Sequence, residues 1–227
     1  EFLIIPDGAI VMTEKRPLIL GAILYEGFEL LDMFGPLEMF TALPADMLQV
    51  VMIAEKKGAV KAGSMSMAPA PSANADFDFT DAPSLDIILL PGGIGTMSEL
   101  ANEALLGFLR ERASTAQITS SVCSGSALLA KAGLLDGRRA TSNKQFFSLA
   151  SSQSDKVDWV ETARWVDDGE FVTSSGVSAG IDMSLAIIAR LFGLETAETI
   201  AAGAEYIWHR DADVDPFIAF LNAASSG

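Results

Sequence analysis

The chain has 227 residues, half of them hydrophobic, and it carries a formal net charge of −15 at pH 7 and a single cysteine. This acidic balance argues against binding to nucleic acid or to an anionic membrane surface through a basic face, and no run of about eighteen apolar residues is present to span a membrane. One cysteine excludes an intramolecular disulfide framework and a cysteine-rich zinc site. We therefore expect a protein of the reducing cytoplasm, where a thiol stays free.

The first residues differ in character from the rest of the chain. Residues 1–11 do not begin with Met and lack the basic stretch of a secretory signal, whereas Met12 is followed by a polar stretch and then by the first apolar run. We expect residues 1–11 to be a non-native addition or an upstream extension. Residues 1–16 are then an N-terminal extension, and residues 17–227 form one α/β domain.

Short apolar runs alternate with segments of helical periodicity along the rest of the chain. Continuous apolar runs indicate strands buried on both faces, and wide apolar stripes indicate helices. The predicted strands cover residues 18–24, 48–54, 85–90, 118–122, 159–161 and 170–173. The predicted helices cover residues 30–40, 97–113, 124–130, 178–192 and 195–208, and residues 63–84 are predicted to be an irregular connection.

This alternation predicts a mostly parallel sheet with helices on both faces. Because ligand sites in such sheets form beyond the carboxyl ends of the strands, three loops are candidates: the one after the first strand, Pro91-Gly92-Gly93, and Cys123. The stretch 93–95 partly matches a dinucleotide-binding loop, but Ser98 replaces the third glycine. No cofactor is expected.

Cys123 lies where a strand is predicted to turn directly into a helix. Ser121 and Gly125 flank it, which is the small-x-nucleophile-x-small pattern of a nucleophile elbow. A tight turn needs neighbours without bulk, and it would expose the sulfur near a helix N-terminus, where partial positive charge lowers the pKa of a thiol. An inert cysteine that packs as a small hydrophobe is the alternative. The elbow favours a nucleophile.

Five short motifs occur together between Pro17 and about Phe217. They are Asp-Met-Phe-Gly-Pro at 32–36, Leu-Pro-Gly-Gly at 90–93, Ser-Val-Cys-Ser-Gly-Ser at 121–126, Ala-Gly-Leu-Leu-Asp-Gly-Arg-Arg-Ala-Thr at 132–141, and Ser-Ala-Gly-Ile-Asp at 178–182. The set resembles the ThiJ/PfpI superfamily, and within it most closely the isocyanide hydratase branch. The resemblance implies a single flavodoxin-like domain, similar to class I glutamine amidotransferases, and a homodimer with its site near the interface.

The resemblance also implies roles for individual residues. Cys123 matches the nucleophile of the hydratases and Asp32 matches their acidic partner. The backbone N–H groups of Gly93 and Ser124 would form an anion-stabilising pocket, and Val177 would help to bind a small-molecule substrate. No metal is implied. The alternative for Asp32 is a helix-terminal cap, and for Gly93 it is a tight turn.

The implied reaction is hydration of an isocyanide to an N-substituted formamide through a thioimidate on Cys123. Asp32 would supply a proton in its acid form and then activate water as a carboxylate, which requires a pKa raised by burial.

Two other classes of function use the same thiol. In a redox or electrophile sensor, Cys123 would be oxidised to a form that Asp32 stabilises. A glyoxalase-like or amidase-like enzyme usually places a histidine near the cysteine. Here Asn143 stands at about that place, and the one histidine of the chain, His209, is expected to be solvated or at an interface.

Overall fold

A computed structural model of the chain describes residues 2–4, 10–12, 16–63 and 70–222. The extension predicted at residues 1–16 therefore lies mostly outside the described residues. Two short strands are described within it, β1 (Phe2–Ile4) and β2 (Ile10–Met12), and they pair antiparallel in a sheet of their own.

The remaining strands of the chain are β3 (Leu18–Ile23), β4 (Leu48–Ala54), β5 (Gly58–Lys61), β6 (Ser72–Ala75), β7 (Phe77–Asp78), β8 (Ile87–Leu90), β9 (Ile118–Val122), β10 (Arg139–Ala140), β11 (Asp158–Trp159), β12 (Trp165–Asp168) and β13 (Phe171–Ser174). Seven of them form the central sheet of the domain, in the spatial order β12-β13-β9-β8-β3-β4-β7. All neighbours in the central sheet are parallel except β12 and β13. The order β4-β3-β8-β9-β13 is the flavodoxin-like order, which confirms the predicted fold class.

The helices pack in two groups, α1 with α6 and α7, and α4 with α2, α3 and α5. Their bounds are α1 (Leu30–Thr41), α2 (Thr96–Glu99), α3 (Glu103–Ala113), α4 (Gly125–Lys131), α5 (Phe147–Ser151), α6 (Ala179–Phe192) and α7 (Leu194–Gly203), with a 3₁₀ turn at Ile218–Phe220. The two groups cover the two faces of the sheet, as predicted. Every residue of β8 and β9 between them is buried. Within the described ranges, no helix combines the length and the apolar character needed to cross a bilayer.

Two helix predictions are wrong in their bounds. The helix predicted at 97–113 is interrupted because the Asn102 side chain accepts the backbone N–H groups of Ala104 at 3.0 Å and Leu105 at 3.2 Å. Asn102 is therefore the N-cap of a new helix: its own backbone is extended, and α3 begins at the next residue. The helix predicted to run to 208 ends at Gly203, and the chain beyond it is mostly irregular.

The prediction of an irregular connection at 63–84 is also wrong in part. Residues 64–69 lie outside the described ranges, but β6 and β7 follow them, and β6 pairs antiparallel with β5. In β6 the side chains alternate between exposed and buried, and the buried ones are Ala73 and Ala75. Such small residues have weak strand propensity, so this two-stranded sheet depends on tertiary packing. Strand β12 was not predicted from the sequence either.

Candidate active site

Three loops meet at one edge of the central sheet. Strands β3, β8 and β9 are adjacent and parallel, so their carboxyl ends lie side by side. The loop after β3 leads into α1 with Asp32, the loop after β8 contains Gly92 and Gly93, and Cys123 directly follows the end of β9. Asp32 and Gly92 lie on either side of the point where the strand order reverses, which is where open α/β sheets bind ligands.

Cys123 occupies a strained turn between β9 and α4. Its backbone φ is 59°, in the left-handed region that residues other than glycine rarely adopt. Its N–H donates to the carbonyl of Ser174 at 3.1 Å, which holds the turn in place. A Cβ on Gly125 would approach the carbonyl oxygens of Leu90 and Pro91 to 2.7 Å. The small residue predicted after the nucleophile is therefore a steric requirement of the elbow.

Asp32 is fully buried in the first turn of α1 beside the thiol. Its Oδ2 accepts the N–H of Gly92 at 2.9 Å, whereas Oδ1 has no hydrogen-bond partner of ordinary geometry in the described part of the chain. Burial raises the pKa of Asp32 well above the usual carboxyl range, with a smaller contribution from the charge of Glu29, while the Gly92 N–H and the thiol oppose the shift. Asp32 thus does not cap its helix; it is a carboxyl group with a bare oxygen that can carry a proton.

The thiol itself differs from the sequence prediction. Cys123 is buried, with 7% of its surface exposed. Burial raises the pKa of Cys123 well above its ordinary value, and the negative charge of Asp32 adds to this effect. Hydrogen bonds from Ser124 and Asn143 favour the thiolate, but burial outweighs them. The predicted exposed, acidic thiol is therefore wrong, and Cys123 is a protonated thiol next to a carboxyl group.

A cavity of about 140 Å³ opens onto this thiol. Most of its wall is apolar, and it is lined by Glu29, Gly93, Ile94, Met97, Cys123, Ser124, Asn143, Gln145, Phe146, Leu149 and Val177. The predicted residues Gly93, Ser124 and Val177 all lie on this wall, while Asp32 lies beneath it. A larger cavity of about 370 Å³ includes Tyr25, Glu55 and Glu99, but it contains neither Cys123 nor Asp32. Among the described residues, no group of three or more His, Cys, Asp or Glu side chains is arranged to hold a metal ion.

Comparisons with known proteins agree with this architecture. The model of the DJ-1/PfpI family matches residues 19–190. The chain belongs to the DJ-1/PfpI family. The predicted resemblance is thereby confirmed at the level of the superfamily.

Individual members of the DJ-1/PfpI family show how far the likeness extends. The isonitrile hydratase of Pseudomonas putida is 32% identical over 195 residues, which are 83% of this chain and 78% of the hydratase. Protein dj-1beta of Drosophila melanogaster is 29% identical over 119 residues, which are 52% of this chain and 62% of that protein. A solved ThiJ/PfpI family protein from Pseudomonas syringae superimposes with a TM-score of 0.74 at 29% identity, covering 88% of this chain and 77% of that one.

In this DJ-1/PfpI family member, a chain of hydroxyl groups connects Gly93 to the core. The Gly93 N–H donates to Ser124 Oγ at 3.1 Å, and Ser124 Oγ also bonds to Thr96 Oγ1 at 2.9 Å. Thr96 in turn contacts the buried Tyr25 hydroxyl at 3.1 Å. The Gly93 N–H therefore already has a partner. Its predicted role toward an anion requires the Ser124 hydroxyl to give way, and this role stays a prediction.

Asn143 is the functional side chain whose role the sequence reasoning missed. Its Oδ1 accepts the Phe146 N–H at 3.0 Å, which leaves its Nδ2 to face the Cys123 sulfur and favour the thiolate. The available signal was its position, since Asn143 stands about where relatives carry a histidine. An amide donates a hydrogen bond there but does not exchange a proton.

Replacing Asn143 by Ala is expected to raise the pKa of the Cys123 thiol further, because the thiolate loses a hydrogen-bond donor. The pH dependence of alkylation by iodoacetamide, followed by mass, measures this directly because the chain has one cysteine. Gln145→Ala is the matched control: it removes an exposed amide from the same loop. An unchanged or lower pKa in Asn143→Ala would contradict the role assigned to this amide.

A buried charge network lies behind the Asn143 loop. Lys144 Nζ donates to the Ala163 carbonyl at 2.6 Å and lies 3.8 Å from Asp215 Oδ2, and burial lowers the pKa of Lys144 to about 8. The Arg164 Nε bonds to Asp182 Oδ2 at 2.7 Å. Asp215 comes from the C-terminal segment, so this network joins that segment to the wall of the thiol cavity.

His209 belongs to the same C-terminal region and not to the cavity wall. Its ring Nε2 bonds to the Val214 carbonyl at 3.1 Å, and its backbone N–H donates to Asp182 Oδ1 at 3.0 Å. It is not among the residues that line the thiol cavity. No described contact joins it to Cys123, so the arrangement resembles a cysteine–carboxyl pair and not a cysteine–histidine pair.

Proposed function

We propose that the protein hydrates isocyanides to N-substituted formamides, with Cys123 as nucleophile and Asp32 as proton carrier. The observation that carries this proposal is the buried Asp32 carboxyl, which has a raised pKa and lies directly beside the single thiol. A general acid requires a proton that is held at neutral pH and is free to be donated. Similarity to the isonitrile hydratase of Pseudomonas putida supports the same reaction.

The first step joins the thiol to the isocyanide carbon. The sulfur of Cys123 forms a bond to this carbon while Asp32 delivers a proton to the same carbon and receives the proton of the thiol. The product is a thioimidate, in which the carbon carries hydrogen, the sulfur and a double bond to nitrogen. Because burial raises the pKa of both groups, proton transfer that accompanies attack avoids a buried thiolate beside a carboxylate.

Water completes the reaction. A water molecule adds to the thioimidate carbon while Asp32 relays a proton to the nitrogen, and the carbon–sulfur bond then breaks. The hydroxyl proton returns to the sulfur, which releases the formamide and restores the thiol. Asn143 and Ser124 favour negative charge on the sulfur, so they would assist its departure.

The alternative functions use the same thiol but fit its surroundings less well. A peroxide sensor reacts through the thiolate, whereas burial raises the pKa of Cys123 and so disfavours the thiolate. Amidase-like and glyoxalase-like cysteine enzymes use a histidine base, and His209 bonds to Val214 and Asp182 instead. Hydration through a carboxyl group is therefore favoured.

We also propose that the protein works as a homodimer in the cytoplasm. Leu31 and Phe34 on α1 are 43% and 44% exposed, and a second copy would cover them. Sedimentation equilibrium of the full chain tests this proposal, because a monomeric mass at micromolar concentration would overturn it.

The reaction is tested with a panel of alkyl and aryl isocyanides, with the formamide measured by mass spectrometry. We expect formamide to accumulate over many turnovers per thiol and the thiol to be recovered unmodified. A single turnover that leaves a stable adduct on Cys123 would favour an electrophile sensor. Absence of formamide with every member of the panel would overturn the hydratase proposal.

Gly92→Ala is expected to lower kcat/KM by about 10²-fold, the scale of loss when reacting groups are displaced by about 1 Å. A Cβ at this position would lie 2.5 Å from Ser124 Oγ and 3.0 Å from Asp32 Oδ2, so both side chains must shift. Gly203→Ala is the matched control, because a Cβ there meets no atom within 4 Å. Full activity of Gly92→Ala would mean that Asp32 need not be held in place.

A further inference from the structure

Glu29 contributes a charged side chain to the thiol cavity that the reaction does not use. It precedes α1 and lies three residues before Asp32, and its side chain lines the same cavity as the Cys123 sulfur. Its backbone is fixed there, because its N–H donates to the Gly92 carbonyl at 2.8 Å. It is partly buried, and this burial raises the pKa of its carboxyl group, while hydrogen bonds from the backbone N–H groups of Leu30 and Leu31 oppose the shift and favour the charged form.

The described residues that line this cavity include an acidic side chain and no basic one. Of the described residues that line it, Glu29 and Cys123 alone are ionisable, and burial raises the pKa of the Cys123 thiol, which favours its uncharged form. Burial also raises the pKa of Asp32 beneath the wall, which favours its acid form. Among the described residues, no Lys, Arg or His lines the cavity, so none of them offers a cation that would compete with a substrate for the Glu29 carboxyl group.

The rest of the wall indicates the shape of the group that enters. Ile94, Met97, Phe146, Leu149 and Val177 provide an apolar surface around a volume of about 140 Å³, and a cavity of roughly 150 Å³ accommodates one benzene ring. An apolar body of this size would place its reacting carbon at the sulfur. Any substituent on the opposite end would then be directed toward the mouth of the cavity.

We infer that Glu29 is a specificity-determining residue, which selects substrates with a ring-sized apolar body and a cationic, hydrogen-bond-donating group. The conclusion that such a substrate is an isocyanide rests on the proposed hydration. The charge preference of the cavity is independent of that proposal, because it depends only on the residues that line the cavity. A carboxylate-bearing substrate is disfavoured by the same residue.

The charge preference is tested on the thiol without any isocyanide. Methanethiosulfonates with a neutral methyl, a cationic trimethylammonioethyl or an anionic sulfonatoethyl group form a mixed disulfide with Cys123 and release methanesulfinate. The chain has one cysteine, so the gain in mass reports this site alone. We expect Glu29→Gln to reduce the ratio of cationic to anionic labelling rates by about fivefold or more, as for a partly exposed charge pair.

Glu38→Gln is the matched control, because it removes an exposed carboxylate from the same helix at a position outside the cavity. This variant is expected to leave the ratio unchanged, which separates a local effect from that of the net charge of −15. Equal ratios in the wild type and Glu29→Gln, or an equal loss in both variants, would overturn the inference.

A second arm uses benzyl isocyanide and its para-aminomethyl and para-carboxylate derivatives. We expect kcat/KM to follow the order cationic, neutral, anionic, and we expect Glu29→Gln to compress the ratios between the three compounds. Turnover without charge discrimination would overturn the inference and leave the hydratase proposal standing. If none of the three is hydrated while labelling still depends on Glu29, the hydratase proposal fails and the charge preference of the cavity stands.

Discussion

Cys123→Ser is expected to lower kcat/KM for isocyanide hydration by roughly 10⁴-fold or more, the scale seen when a catalytic nucleophile is removed. Serine fits the turn because it has the same shape and its neighbours are unchanged. Its hydroxyl is a far weaker nucleophile than a thiol toward the isocyanide carbon, and Asp32 is too weak a base to ionise it. The measurement is kcat/KM by formamide formation, together with the thermal midpoint of unfolding.

Cys123→Ala distinguishes the loss of the nucleophilic sulfur from the loss of the volume that the side chain fills. We expect the Ala variant to be as inactive as the Ser variant and both to unfold near the wild-type midpoint, since the cavity beside residue 123 accommodates a smaller side chain. If either folded variant kept most of the activity, the cavity would act on water without a covalent intermediate. Cys123 would then not be the nucleophile.

Asp32→Asn is expected to lower kcat/KM by ~10²–10⁴-fold, the usual contribution of general acid–base catalysis. Asparagine preserves the shape and still accepts the Gly92 N–H through its amide oxygen, so geometry alone does not account for a loss. It cannot carry a proton, and both attack and hydrolysis need one. In the wild type, activity should fall as the pH rises through the raised pKa of Asp32, because the acid form is consumed.

His209→Ala provides the comparison that decides between the two kinds of cysteine enzyme. His209 bonds to Val214 and Asp182, away from the thiol. We therefore expect this variant to retain activity within about threefold, the scale of an effect on local stability. A cysteine–histidine enzyme requires the reverse ranking. A His209→Ala variant more damaged than Asp32→Asn would show that the assigned proton carrier is wrong.

The elements that the sequence predicted well are those with strong local signals. Continuous apolar runs marked β3, β4, β8 and β9 to within a residue or two at each end. Those without such signals were missed or misplaced. The Asn102 cap splits a helix whose apolar pattern is continuous, and β6 consists of small residues that become a strand only when β5 pairs with them.

The candidate site divides in a similar way. Small neighbours around Cys123 indicated the elbow, because a tight turn tolerates little bulk and this requirement is local in sequence. The protonation state of the thiol was predicted in the wrong direction. A helix N-terminus is visible in the sequence, whereas the burial that outweighs it arises from segments far along the chain, such as the Asn143 loop and Val177.

The sequence by itself therefore determined the class of fold, through the alternation of apolar runs and helical stripes along the chain. It indicated the elbow at Cys123 through the small neighbours of this residue, and the resemblance to the ThiJ/PfpI superfamily pointed to Asp32 as its partner. Only the tertiary structure decided what these groups are chemically. It buries Asp32 and Cys123 together, turns the Asn143 amide toward the sulfur, and brings Glu29 to the wall of the same cavity. The physical reason is that pKa and selectivity depend on desolvation and on charges close in space, and both are set by contacts between distant parts of the chain.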